Sequence, residues 1–400
     1  MRIKDNDRDI SIRQLEREVK RFLNITGEDI WKNKIAKLDE HLRSKNAIFY
    51  AEYLKSRNPF LEPLKEFFDL YDSGKSIWKN ATNELKKASN RMISINRIFQ
   101  SVNSRAKKKI KSALLADSIN PFLFEIQIAS HFLVHGWDVD FVDLERQNQN
   151  ILSYDFLVTE ESFELEIECI RVSSDKGRKI TREGFYSLCG EIFTKVEPLK
   201  GKYIFTITCK ERLGKNISHF QKLATLIREN IEDLQYSVNL DGISVKIDQL
   251  PNDFNIKEEN KAIAILEPYI KNHAHHAFYF VKGVNFVFRA ESEKKDEVLK
   301  SIYKTIKDGA KQFSGTRTAI LTCFIEDIEE SSWNELRKDS GLANMTSCFF
   351  TNMKRSHITK AIYSSEPILR KANNFLEYSS ENLIFDNLNC KYSISSDIFR

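Results

Sequence analysis

A chain of 400 residues with 41% hydrophobic and 30% charged content is long enough for two or three globular domains. No apolar run reaches the ~18 residues a membrane-spanning helix needs, and no charged-then-apolar leader opens the chain, so cytoplasm is the expected location. The net charge of +5 decides nothing, but six cysteines standing singly at 169, 189, 209, 323, 348 and 390 argue against a disulfide framework or a zinc knuckle.

The charge is unevenly spread. Residues 1–118 hold 26 Lys and Arg against 16 Asp and Glu, so the basic excess lies in the first third. Stretches such as SIRQLEREVKRFL, PLKEFFDLY and NELKKASNRMISINRIFQSV space their apolar residues at three and four, which predicts helices. Asn58-Pro59 and Ser73-Gly74 separate them. Between 81 and 111, nine basic residues accompany a single acid, Glu84, and Lys107, Lys108 and Lys109 are the densest point. Such a concentration can neutralise phosphates and steer a nucleic acid; a solvated helix face is the alternative. Gly74-Lys75-Ser76 has the ending of a phosphate-binding loop, but Asp69 stands where the earlier glycine belongs and a helical stretch precedes it. An NTPase is rejected.

The stretch from 120 to 182 carries the chemistry. Asn120 reads as an N-cap, Pro121 as the first helical residue and Gly136 as the stop, around the apolar PFLFEIQIASHFLVH. At helical spacing Glu125 shares a face with Ile128, Ala129 and Phe132, away from Gln127, Ser130 and His131. A carboxylate aimed into packing needs a cation, a metal or hydrogen bonds. WDVDFVDL (137–144) reads as a strand, LSYDFLVT (152–159) as a second with Asp155 inside it, and FELEIECIR (163–171) as a third. The third alternates: Phe163, Leu165, Ile167 and Cys169 on one side, Glu164, Glu166, Glu168 and Ile170 on the other. A solvated edge explains Glu164 and Glu166 cheaply, but Asp is depleted from strands, so Asp155 asks for another reason. An acid on the helix and one on each of two strands can converge on a divalent cation, and such hard oxygen ligands suit Mg²⁺ or Mn²⁺.

This order of helix and strands resembles the core of the PD-(D/E)xK, or restriction-endonuclease-like, phosphodiesterases, with Glu125, Asp155 and Glu168-Cys169-Ile170 in the motif positions. ECIRVSSDKGRKI is also similar to nuclease-fold proteins that read ECK…S.D.GRK after the third strand. The resemblance covers about 65 residues. It implies a metal held by Glu125, Asp155, Glu168 and the carbonyl of Cys169, and phosphodiester hydrolysis. The family's lysine is replaced by Ile170, leaving Lys176 or Lys179 of the next loop as substitutes; a register on Glu166-Ile167-Glu168 is the alternative. Arg171, Arg178 and Arg182 beside the carboxylates suit phosphate contacts, or else balance the acids.

Past this loop the patterns predict a helix over Arg182–Val196, a strand in KYIFTITCK, a helix capped by Ser218 and strands over 242–247 and 261–268. A hairpin turning at Lys282-Gly283, a helix over 294–313 and a buried strand in RTAILTCFIEDI follow. His273, His275 and His276 sit close together, but without other ligands nearby a solvated turn is the plainer reading. His131 and His135 lack a Ser or Cys partner for a triad.

The expected protein is therefore α/β (α+β): a restriction-endonuclease-like mixed sheet flanked by helices over 119–250, after an all-helical basic domain over 1–118 and before an α/β extension over 251–400. Its expected activity is Mg²⁺- or Mn²⁺-dependent hydrolysis of nucleic acid, DNA first, in the setting of defence against foreign DNA. The competing expectation is an inert nuclease-fold module that binds nucleic acid or a protein, a second copy of the chain included.

Overall fold

The computed structural model describes residues 12–43, 49, 54–55, 57–116, 119–142, 154–161, 163–173, 175–199, 201–249, 277–280, 286–326, 338, 340–365, 368–372, 375–379 and 382–392. In chain order its helices are α1 (Ile12–Thr26), α2 (Glu28–Arg43), α3 (Leu61–Asp72), α4 (Ile77–Asn80), α5 (Asn83–Ser101), α6 (Ser104–Leu115) and α7 (Asn120–Val134). Then come β1 (Asp138–Asp140), β2 (Phe156–Glu160), β3 (Phe163–Val172), α8 (Arg182–Val196), β4 (Tyr203–Cys209), α9 (Ile217–Glu232), β5 (Ser237–Leu240) and β6 (Ile243–Gln249). The rest is β7 (Ala277–Phe280), β8 (Phe286–Ser292), α10 (Val298–Gly309), β9 (Thr318–Ile325), α11 (Ser340–Phe350), β10 (Ile358–Ser364), β11 (Ile368–Ala372), β12 (Phe375–Ser379) and β13 (Asn382–Asp386).

The chain forms two compact units that cut across the boundaries at 118 and 250 suggested by chain order. Unit 1 comprises Met1–Ala36, Arg57–Ser173 and Leu299–Arg400; unit 2 comprises Lys37–Ser56 and Ser174–Val298. The basic helices belong to unit 1 because α5 packs on α7 as well as on α1, so they share a core with the sheet. Trp31, Phe22 and Phe60 anchor their packing with ring centroids 5.1–6.1 Å apart, and Trp31 Nε1 donates to Thr26 Oγ1 at 2.8 Å.

Unit 1 is built on a mixed six-stranded sheet in the order β1-β2-β3-β9-β10-β13. β1, β2 and β3 form an antiparallel meander, β9 lies parallel to β3 and β10 parallel to β9, and β13 closes the edge antiparallel. Helices cover both faces over the centre, which is why β9, TAILTCFI, is buried at every position and carries no alternation. On one face Phe124 of α7 meets Phe324 of β9, centroids 5.1 Å apart. On the other the last residue of α10, Gly309, lies so close that a Cβ there would stand 2.6 Å from Ile170 Cγ2 and 3.4 Å from Leu321 Cδ1. Glycine at that position lets helix and sheet touch.

Unit 2 carries a five-stranded sheet in the order β5-β6-β4-β8-β7, with β4 and β8 parallel and the other neighbours antiparallel. Leu188, Ile192, Leu223 and Ile227 from α8 and α9 pack with Phe205, Ile207 and Phe288 in its core. Phe49 joins them, with ring centroids 5.8 Å from Phe193 and 5.5 Å from Phe288. A residue far back in the chain thus completes this core.

Several local expectations shift by a residue or two, as helix ends do. Asn120 lies inside α7, whose N-cap is Ile119, and α9 is capped by Asn216 instead of Ser218, the Asn216 side chain accepting from His219 N. The stop at Gly136 stands, with φ at +88°. Among the described residues of the strand expected over 137–144, Asp138–Asp140 are paired, and 143–144 lie outside the described residues. The expected strand over 261–268, the turn at Lys282-Gly283, and His273, His275 and His276 lie outside the described residues. Among the described residues, no helix is long and apolar enough to cross a membrane.

Candidate functional site

The three acids of the motif lie around the middle of β3. Asp155 is not inside β2 but one residue before it, where its backbone N–H donates to Ile167 O at 3.1 Å. Its carboxylate turns back and accepts from Cys169 N at 2.6 Å. The side chain thereby extends the β2–β3 ladder beyond Phe156, the first residue of β2, a charge-assisted bond that explains why an acid stands at the strand's start.

Glu168 is 2% exposed, and its Oε1 accepts from Gln312 Nε2 at 2.7 Å. Its backbone carbonyl accepts from Thr322 Oγ1 at 3.0 Å. Glu166 is fully buried and accepts from Ser314 N at 2.9 Å, Ser314 Oγ at 2.5 Å and Arg317 Nη1 at 3.5 Å. Arg317 also binds Glu164 at 2.5 Å. The charged side of β3 is therefore no solvated edge: it lies under the α10–β9 connection, which binds both oxygens of Glu166 and Oε1 of Glu168.

Alternation divides the acids between faces. Glu168 pairs with Leu321 and Arg171 with Phe324 across the parallel β3–β9 ladder, so each pair shares a face. Gly309 approaches Glu168 Cγ, Ile170 and Leu321, which puts α10 over the Glu168 face. Phe124 on Phe324 puts α7, with Glu125, over the face of Cys169 and Arg171. Glu125 is half-buried beside buried Ile128, Ala129 and Phe132, as its helical phase requires. Glu125 and Glu168 thus approach β3 from opposite sides, with the Asp155 carboxylate bonded along the strand edge between them. All three act on one atom. Burial first, then the charge of Asp155, pushes the Cys169 thiol well above its ordinary range, and Glu125 and Glu168 add to the rise against a hydrogen bond with Thr322. The thiol stays protonated and is no nucleophile.

Among the described residues, no group of three or more His, Cys, Asp and Glu side chains is arranged to hold a metal ion. Nor does Ile170 leave room for a lysine: it is 7% exposed and pressed against Gly309.

The cations expected near the acids have partners of their own. Arg171 makes an ion pair with Glu326, just past β9, and Asn120 Nδ2 reaches the same carboxylate at 3.5 Å. Lys176, Arg178, Lys179 and Arg182 belong to unit 2. There Lys179 Nζ binds Glu297 at 2.9 Å, its backbone N–H donates to Asp296 at 2.8 Å, and Arg178 lies 3.8 Å from Asp296. Asp175 accepts from Arg182 N at 2.6 Å and Thr181 Oγ1 from Gly184 N at 3.0 Å, capping α8. Leu213 N donates to Lys179 O at 2.7 Å. The 175–181 segment is thus a structural clasp in unit 2, holding the start of α8, the 210–214 segment and 296–297. Lys176 alone is exposed.

Gln312, Ser314 and Glu326 are the residues that sequence reasoning missed. They lie more than 140 positions from the acids and arginine they bind, and no short motif announces them. Compared with family models, curated proteins and solved structures, the chain matches none of them, so no family is assigned.

Proposed function

We propose that unit 1 is a restriction-endonuclease-like core that engages nucleic acid without the metal-assisted hydrolysis of that family's active members. Supporting the fold reading is the succession of helix, three-stranded antiparallel meander and a further strand parallel to the third, in a mixed sheet with helices on both faces. The single observation that carries the loss of catalysis is Ile170, packed at the position the family gives to lysine while its neighbour Glu168 is bound by Gln312. On this reading the core keeps a nuclease's frame, and recognition is its work. The test incubates the full chain with supercoiled plasmid DNA and Mn²⁺, alongside a thermal melt with and without the metal. Retarded but intact plasmid and no metal-dependent shift in Tm are expected.

One observation favours a hydrolytic reading instead: the charges of Glu125, Asp155 and Glu168 all bear on Cys169. On that reading Mn²⁺ supports nicking, and Asp155→Asn abolishes it with folding intact. That outcome would replace the binding reading.

A further inference from the structure

The basic stretch of the first third ends in a helix that turns an exposed lysine face outward. Helix α6, SRAKKKIKSALL, is held on one side by Ala106, Ile110 and Leu114, all fully buried. Both ends are fixed. The Asn103 side chain accepts from Arg105 N at 3.0 Å and Ala106 N at 2.9 Å, and Lys34 Nζ donates to Leu115 O at 2.7 Å. The opposite side presents Ser104, Arg105, Lys108, Lys111 and Ser112, all exposed, and Lys107 reaches over the Phe99 ring at 5.7 Å.

A solvated lysine-rich helix is the plain alternative, and the neighbouring helices show what that looks like. Lys20 pairs with Glu16, Lys32 with Glu28 and Lys87 with Glu84, each one turn away. α6 has no acid at all, and none occurs from 85 to 116. Lys107 and Lys111 stand four apart, where like charges weaken a helix. A helix anchored at both ends that carries repelling cations outward is complementary to an anion outside the chain. From Arg105 to Lys111 the helix rises about 9 Å. Nucleic-acid strands carry a charge every ~3.4 Å of axis, so the stripe spans consecutive phosphates of one backbone.

We infer that the outer face of α6 docks the phosphodiester backbone of a nucleic acid, by charge and without reading bases. This rests on the nucleic-acid reading of unit 1 but not on its fold or its lack of catalysis. Two exposed cations, Lys108 and Lys111, give a dependence of log affinity on log salt with a slope near −1.8 from this helix, which is roughly a 12-fold loss between 50 and 200 mM salt.

The experiment titrates the full chain into a short labelled DNA duplex and, in a second arm, the matching RNA duplex, at several salt concentrations. The charge-reversal pair Lys108→Glu with Lys111→Glu is compared with the conservative pair Lys108→Arg with Lys111→Arg. Both residues are exposed, so unchanged melting certifies the fold. At least tenfold weaker binding and a shallower slope, by about two, are expected for the reversed pair, with wild-type behaviour for the arginine pair. Preference for one duplex names the source of the phosphates. Wild-type binding that the reversed pair leaves untouched overturns the assignment to α6 while the nucleic-acid reading stands. Absence of wild-type binding in both arms overturns the two together. Displacement of the duplex by polyglutamate at equal charge concentration points to an acidic protein surface and overturns the phosphate assignment.

Discussion

Ile170→Lys tests the reading of unit 1 most directly, because it restores the residue type that the motif position lacks. Ile170 is 7% exposed, and a Cβ on Gly309 of α10 would stand 2.6 Å from its Cγ2, so no cavity waits for a longer side chain. Losing the buried isoleucine costs about 2 kcal/mol of apolar burial. Forcing in extra atoms adds about 1–3 kcal/mol of overpacking. The ammonium must also leave water, and the nearest carboxylate on its face, Glu168, is already bonded to Gln312; a partial pair offsets some of that penalty. A net destabilisation of about 3–5 kcal/mol follows, or a fall in Tm of roughly 6–20 °C at 2–4 °C per kcal/mol for a unit of this size. Thermal denaturation of the full chain, followed by tryptophan fluorescence, reads the loss in unit 1, where all four tryptophans lie. Plasmid nicking with Mn²⁺ reads any gain. A variant that melts within 2 °C of wild type and acquires metal-dependent nicking would refute the reasoning, since the site would then be open and poised for a lysine.

Two further outcomes follow from the site. Asp155→Ala strips the acceptor from Cys169 N, leaving a ladder N–H without its 2.6 Å bond, and should cost about 1–3 kcal/mol, whereas Asp155→Asn keeps an acceptor oxygen and should lose less than half of that; equal losses in denaturant midpoints would show that the carboxylate is not a ladder cap. His357, 6% exposed beside Phe313, is held below the ordinary imidazole range by burial, with the charge of Glu166 opposing and Lys391 assisting. Its folded form binds fewer protons than the unfolded chain, so stability contributed by neutral His357 is full above about pH 6.5 and is lost as pH falls below it. The midpoint of denaturation should therefore drop more between pH 7 and pH 5 in wild type than in His357→Phe, and parallel drops would exclude this histidine as the cause.

Much of the local structure follows from short-range rules. The helix from Asn120, its stop at the positive-φ Gly136, the strict alternation of β3 and the span of α8 over Arg182–Val196 depend on periodicity, capping and glycine freedom, all legible within a dozen residues. The separation of Glu166, Glu168 and Ile170 from Cys169 follows from the same alternation. Tertiary structure decided what each side meets. A strand of two acid-bearing faces can lie open to water or be covered, and the cover over Glu166 and Glu168 arrives with α10 and the 312–317 segment, which the chain reaches only after unit 2 has intervened. The helix bearing Glu125 settles on the other side, so Glu125 and Glu168, which share a motif in sequence, do not share a face in space. Lysines 176 and 179 stand within a dozen residues of Glu168 but fold into unit 2, and Phe49 joins that unit's core from the N-terminal third. Local spacing sets the direction of each side chain along its own element; which element covers it is set by contacts between residues far apart in the chain, whose closure entropy and packing no local pattern records.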